Sequence, residues 1–298
     1  LTGAGGDRSH ANDARKGQLK ASHRLGRAGM RVLQLSDPHL LADPAGRCRG
    51  VPALAHLRHA WRRARVQLAD HRPDLLLISG DLCQDETHAG YVRLREFLEA
   101  EVLPAGIPVA LLPGNHDHPT LLRAVLGRRA LIAPAVVALG PWQLLLLSSH
   151  RPGAVAGWIE PAQLAWLAAQ LAGGSDRSPA GPVLVALHHP PVTIGARSEL
   201  DRIALQRPDQ LLAPLLASPR VRGIVFGHIH QHWQGCLARP AGDPPLRLWG
   251  CPSTLVPFTA VQPCPLGHPD WPGGRLLRLE TGGEISTRLL RWPPLPPA

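Results

Sequence analysis

Asparagine and lysine are almost missing from this 298-residue chain. The only asparagines are Asn12 and Asn115, and the only lysines are Lys16 and Lys20. A composition that avoids both types points to a coding bias, so an Asn kept at 115, inside a run of His and Asp, argues against drift. The five cysteines (Cys48, Cys83, Cys236, Cys251 and Cys264) form no C-x-x-C pair, and their number is odd. That excludes a disulfide framework and places the chain in a reduced, cytoplasmic setting. Long apolar runs are absent too: Leu131 to Leu147 is broken by Pro134, Gly140, Pro141 and Gln143. The sequence therefore predicts a soluble protein with no membrane partner.

The net charge is +10, but residues 1–29 hold six basic and two acidic groups, so +10 − 4 leaves +6 for the rest. Part of this excess lies on one helical stretch (Arg58, Arg62, Arg63, Arg65). No aromatic interleaving or nucleic-acid motif accompanies it, so a solvated helix face is expected, with no nucleic-acid partner. A general attraction for anionic substrates remains.

Residues 1–29 also lack the apolar core of a signal peptide, and they show no apolar periodicity. Met30 is the single methionine and stands directly before the first strand pattern. The expectation is that 1–29 form a disordered or non-native extension. Residues 30–298 then form one domain with a Pro-rich tail, since no linker or internal repeat divides them.

Along that domain, short apolar runs alternate with helical spacing. Strands are expected over 31–36, 74–79, 107–112, 142–147, 183–187 and 221–226, with shorter ones over 246–250, 275–280 and 285–290. Helices are expected over 54–70, 87–100, 160–171 and 208–216, the third opened by Pro161. Alternation of this kind implies a layered α/β fold. Five of the strands end in residues drawn from Asp, His and Asn: Asp37-Pro38-His39, Gly80-Asp81, Gly114-Asn115-His116-Asp117, His188-His189 and Gly227-His228-Ile229-His230. Open α/β sheets place their chemistry at such edges.

The strand-end set comprises Asp37, His39, Asp81, Asn115, His188, His228 and His230. Two carboxylates, an amide and four imidazoles exceed one tetrahedral site, and suit a pair of ions bridged by a carboxylate. In Asp-x-His and His-x-His, residues i and i+2 of an extended segment share a side. Mixed O and N donors without thiolates fit Fe, Mn, Zn or Co better than Ca or Mg. His118, His189 and His232 read as supporting or surface residues. His150 reads as a loop residue, and no role is assigned to His56, His59, His71 or His88.

Taken together, these motifs resemble the calcineurin-like metallophosphoesterases, over residues 31 to 290. Gly80-Asp81-Leu82-x-Gln84-Asp85, the His188-His189-Pro190 block, Gly227-His228-Ile229-His230-Gln231 and Pro252-Ser253-Thr254 are similar, more narrowly, to bacterial class III cyclic AMP phosphodiesterases. The resemblance implies a four-layer αββα sandwich. It also implies one ion on Asp37, His39, Asp81 and His230 and another on Asp81, Asn115, His188 and His228, with Asp81 bridging. Iron paired with Mn, Zn or a similar ion is the implied cofactor set. Two positions depart from the narrower pattern: Arg207 stands where Asn is usual, and Pro257 precedes Phe258 where Gln is usual.

The implied activity is hydrolysis of 3′,5′-cyclic AMP to 5′-AMP by a metal-bridged hydroxide. His116, not needed as a ligand, would protonate the departing alkoxide. Asp117 would orient His116 or the loop. The alternatives are the same chemistry on 2′,3′-cyclic nucleotides or glycerophosphodiesters, or an inactive scaffold. A homodimer is possible on general grounds.

Overall fold

The computed structural model describes residues 29–296, apart from 70, 174–180, 196–198 and 240–242. Nearly all of the expected 1–29 extension lies outside the described residues.

The elements run β1 (Met30–Leu35), β2 (Arg47–Cys48), β3 (Val51–Pro52), α1 (Ala53–Leu68), β4 (Leu75–Ile78) and α2 (His88–Phe97). There follow β5 (Val109–Leu111), α3 (Pro119–Leu126), β6 (Leu131–Ile132), β7 (Ala135–Leu139), β8 (Trp142–Leu146) and α4 (Pro161–Ala172). Next are β9 (Val183–Ala186), α5 (Glu199–Arg202), α6 (Pro208–Ala217), β10 (Val221–Phe226) and β11 (Trp233–Leu237). The last are β12 (Leu246–Gly250), β13 (Gly273–Leu279) and β14 (Ile285–Arg291).

Two six-stranded sheets result, ordered β14-β13-β1-β4-β5-β6 and β11-β12-β10-β9-β8-β7. In each, four consecutive strands are parallel: β1, β4, β5 and β6 in one, where β6 is itself an edge, and β8, β9, β10 and β12 in the centre of the other. Antiparallel strands complete one edge of the first sheet (β13 and β14) and both edges of the second (β7 and β11).

Side-chain alternation explains the layering. In β4, Leu76 and Ile78 pack toward α1, α2 and α3, whereas Leu75 and Leu77 face the other sheet. In β9, Leu184 and Ala186 fill the space between sheets, and Val183 and Val185 pack beneath α4 and α6. Strands covered on both faces read as unbroken apolar runs. Three apolar layers between four structural layers make an αββα sandwich. Gln34 crosses the central layer, donating its amide to Ser79 Oγ (2.9 Å) and the Phe226 carbonyl (3.2 Å). It thereby holds the two sheets near the ends that carry the Asp and His residues.

The helices start as local chemistry dictates. Thr87 caps α2, its hydroxyl accepting from Gly90 N (3.0 Å), and Pro161 and Pro208 occupy first turns. The 87–100 helix differs from expectation at its end: α2 stops at Phe97 and passes into a π-turn, Leu98–Val102. Helix α3, strand β7 and strand β11 carry no clear periodic signal in the sequence. Among the described residues, no helix is long and apolar enough to cross a membrane.

Candidate metal centre

Five loops at the carboxyl ends of β1, β4, β5, β9 and β10 converge. Hydrogen bonds extend the β1–β4 pairing into the loops: Asp37 N donates to Gly80 O (3.1 Å), His39 N to Asp81 O (2.9 Å) and Leu40 N to Leu82 O (3.0 Å). The Ser253 hydroxyl donates to Asp37 O (2.8 Å) and Thr254 N to Ser36 O (2.9 Å), so the Pro252-Ser253-Thr254 segment buttresses the first loop.

The local backbone is not the extended one that the i, i+2 reasoning assumed. Asp37, His39, Asp81, His228 and His230 all have φ between 45° and 67°. Such left-handed residues other than Gly are uncommon and cost free energy, and they concentrate at functional sites. Convergence of each pair therefore comes from turns, not from the pleat. Gly114 leaves room for the centre: a Cβ there would collide with the Asp81 carboxylate and the His188 ring. Gly80, at φ 103°, stands in the same way against His188.

Two donor groups stand side by side. Asp37, His39, Asp81 and His230 form one, and His188, His189 and His228 the other, with the donor atoms of each group within 4.8 Å of one another. His230 Nε2 lies 3.4 Å from Asp37 Oδ1 and 3.1 Å from His39 Nε2. His188 Nε2 lies 3.2 Å from His228 Nδ1 and 3.3 Å from Asn115 Oδ1. Asp81 belongs to both, with Oδ2 3.7 Å from His39 Nε2 and Oδ1 3.3 Å from His188 Nε2. All seven residues picked out at strand ends are thus brought together.

Other bonds aim the rings. His188 donates Nδ1–H to the Ser79 carbonyl (2.8 Å), and His230 donates Nδ1–H to the Val256 carbonyl (2.9 Å). Each leaves an Nε2 lone pair facing inward, as metal-bound histidines usually do. His189 is different. Its Nε2–H goes to the Val155 carbonyl (3.0 Å) and its Nδ1 accepts from Ser149 Oγ (2.8 Å), so it has no lone pair to offer. It is buried, not on the surface, and so is His232, which lies 2.9 Å from Arg275. His118 caps α3, its Nδ1 accepting from Leu121 N (3.4 Å).

The electrostatics favour a cation. Burial would raise the Asp81 carboxyl, but His188 and His39 hold it well below its usual range. Burial would lower His188, yet Asp81 pushes it up to about 9, so the cluster draws positive charge to this point. His39 and His228 are held down, chiefly by burial, His39 to about 4. The facing Nε2 atoms of His39 and His230 need a cation or proton between them. These mixed oxygen and nitrogen donors fit ions such as Fe, Mn or Zn.

The Gly114-Asn115-His116-Asp117 turn borders the centre. The His116 and His39 rings lie 5.3 Å apart, edge to face. Asp117 does not touch His116. Its carboxylate accepts from Leu82 N (3.0 Å), Cys83 N (3.1 Å), Gly114 N (2.8 Å) and Tyr91 Oη (3.0 Å), which ties the second and third loops together. Burial and the Asp81 charge push Asp117 up to about 7, against the pull of the Gly114, Leu82 and Tyr91 donors. The partner of His116 is Gln84, with Nε2 3.2 Å from His116 Nδ1. Cys48 Sγ donates to Gln84 Oε1 (3.6 Å), which turns the amide NH2 toward the ring.

Sequence reasoning assigned no role to Gln84, Ser253 or Tyr91. Tyr91 is the only tyrosine of the chain, a scarcity signal like that of Asn115. On the far side, Phe258 stacks flat on His230 (4.1 Å between centroids), and Arg49 covers Phe258 at 4.7 Å. Arg207 is exposed and lies over Trp158 (5.2 Å).

A two-sheet sandwich with adjoining buried Asp/His donor groups at its strand ends defines a metallophosphoesterase-type protein. Residues 30–232 match the calcineurin-like phosphoesterase family, and the chain belongs to it. A Synechococcus sp. (strain WH7803) protein named a probable cyclic nucleotide phosphodiesterase is 50% identical over 88% of this chain and 96% of its own length. The 3′,5′-cyclic adenosine monophosphate phosphodiesterase CpdA of Pseudomonas aeruginosa is 35% identical over 89% of this chain and 90% of its own. Among solved structures, a dimetal phosphatase from Danio rerio superposes with a TM-score of 0.56 at 15% identity, covering 89% of this chain and 99% of that one, a likeness of fold.

Proposed function

We propose that this protein is a dinuclear metal phosphodiesterase that hydrolyses 3′,5′-cyclic AMP to 5′-AMP. The observation that carries the reading is the division of Asp81, one carboxylate oxygen toward each donor group. Asp37, His39, Asp81 and His230 would hold one ion and Asp81, Asn115, His188 and His228 the other, iron with manganese or zinc being the set proposed. Bound there, two such ions supply a water of lowered pKa and neutralise charge on the phosphoryl oxygens.

The chain's own groups complete the reaction. In-line displacement at phosphorus breaks the bond to the 3′-oxygen, and a sugar alkoxide leaves poorly without a proton. His116 supplies it. Because Nδ1 accepts from the Gln84 amide, the neutral ring keeps its proton on Nε2. Asp117 acts on the loop and not on the ring. Relatives of 50% and 35% identity named for cyclic nucleotides support this substrate over other small phosphodiesters.

The test is hydrolysis of cyclic AMP by the purified chain with Mn²⁺ supplied, beside an Asn115→Ala control. Turnover lost in the control supports both chemistry and site. Turnover of glycerophosphodiesters or 2′,3′-cyclic nucleotides but not of cyclic AMP overturns the substrate and keeps the chemistry.

A further inference from the structure

A cavity of about 560 Å³ adjoins the Asn115–His116 turn. Its other wall is the 150–155 segment, between β8 and α4. That volume lies within the range of small-molecule sites. The wall includes Pro152, Ala154 and Val155. Val155 is 52% exposed and is one of three large apolar side chains left exposed among the described residues. One exposed apolar side chain is ordinary on a protein surface, but this one lines the same cavity as Asn115 and His116, beside Pro152 and Ala154.

The segment is held in register with the metal centre. His189, the residue after His188, grips it at both ends through Ser149 Oγ (2.8 Å) and the Val155 carbonyl (3.0 Å). Trp158 N donates to Ser149 O (3.0 Å), closing the loop on itself. Gly157 lets the chain pass against the His189 ring, where any Cβ would collide. This wall is therefore built at a set distance from His188, and such preorganisation suits a surface that positions substrate.

Chemistry decides which part of the substrate lies here. His116 lines the cavity, and a proton donor must stand on the leaving-group side of phosphorus. In hydrolysis of a 3′,5′-cyclic nucleotide the leaving oxygen stays attached to the nucleoside, so the nucleoside lies on this side.

Resting on the phosphodiesterase reading above, we propose that this cavity is the nucleoside subsite, with Ala154 and Val155 forming the apolar contact for the base. It selects phosphodiesters whose leaving oxygen carries a flat heteroaromatic base over compact ones such as glycerophosphodiesters. His189 is a positioning residue for that wall.

The experiment compares kcat/KM for cyclic AMP and for glycerophosphocholine in the wild-type chain, Ala154→Trp and Val155→Ser. Ala154→Trp fills the cavity and should lower the cyclic AMP to glycerophosphocholine ratio by at least about tenfold. Val155→Ser, at an exposed site that tolerates substitution, should lower it about fivefold through the lost apolar contact. Wild-type turnover of cyclic AMP with the ratio unmoved in both variants overturns the subsite and leaves the phosphodiesterase reading standing. A wild-type chain that cleaves glycerophosphocholine but never cyclic AMP overturns both.

Discussion

Gln84 and His116 meet side chain to side chain at 3.2 Å, while Asp117, the neighbour of His116 in sequence, bonds elsewhere. The Gln84 amide thus sets which ring nitrogen of His116 carries the proton. Gln84→Leu should slow cyclic AMP, whose alkoxide needs that proton, by about 10- to 100-fold. Bis(p-nitrophenyl) phosphate, whose leaving group needs little help, should lose far less. Steady-state kinetics on both esters checks this, and equal losses would refute the tautomer role.

Asp117 accepts four hydrogen bonds, three from backbone N–H groups and one from Tyr91. Asp117→Ala leaves three backbone N–H groups unpaired in the core and removes the acceptor of the Tyr91 O–H, at a cost of about 3–5 kcal/mol. Tyr91→Phe removes one of these bonds and also the hydroxyl that accepts from His118 N (2.6 Å), and should cost about 1–3 kcal/mol. Urea denaturation of the two variants gives both numbers.

Asp81 faces both donor groups, whereas His39 faces one. His39→Ala should bind about one ion per chain and Asp81→Ala about none, against about two in the wild type. Elemental analysis of the purified proteins reads the count. Chelation should abolish turnover and lower the melting temperature, because ions that bind only the folded chain stabilise it. Both should return with Mn²⁺.

His56 is 2% exposed on α1, and burial, with His59 nearby, lowers its pKa from 6.5 despite a hydrogen bond to the Leu255 backbone. Below pH 6.5 the unfolded chain takes up this proton more readily than the folded one. Stability from this group is therefore complete above 6.5 and lost as pH falls toward the lowered folded value. His56→Gln should flatten the decline in denaturation midpoint between pH 6.5 and 5, and an unchanged slope would contradict the assignment.

Much of the fold was legible because its signals are local. Runs such as Val221–Phe226 and Leu246–Gly250 are strands as their apolar content implies. Helix α3 was not legible: its eight residues offer less than three turns of pattern. The π-turn after α2 has no sequence mark that separates it from continued helix. The 131–141 stretch concealed two strands, β6 and β7, since its Pro and Gly breaks read equally well as loop, whereas β8 was legible.

The residues of the candidate centre were visible in sequence because ligand chemistry restricts residue type, and each pair lies within one short loop. How they come together depends on contacts between distant segments. β13 pairs with β1, bringing residues more than 200 positions apart into register. Asp81 reaches His39 because β1 and β4 pair side by side, and reaches His188 only because the two sheets end at one edge. The left-handed turns at Asp37, His39, Asp81, His228 and His230 are held by tertiary bonds such as Ser253 to Asp37, since no local preference would choose them. Composition and spacing named the seven donor residues. Sheet packing chose their partners, because hydrogen-bond geometry across loops has no counterpart in linear order.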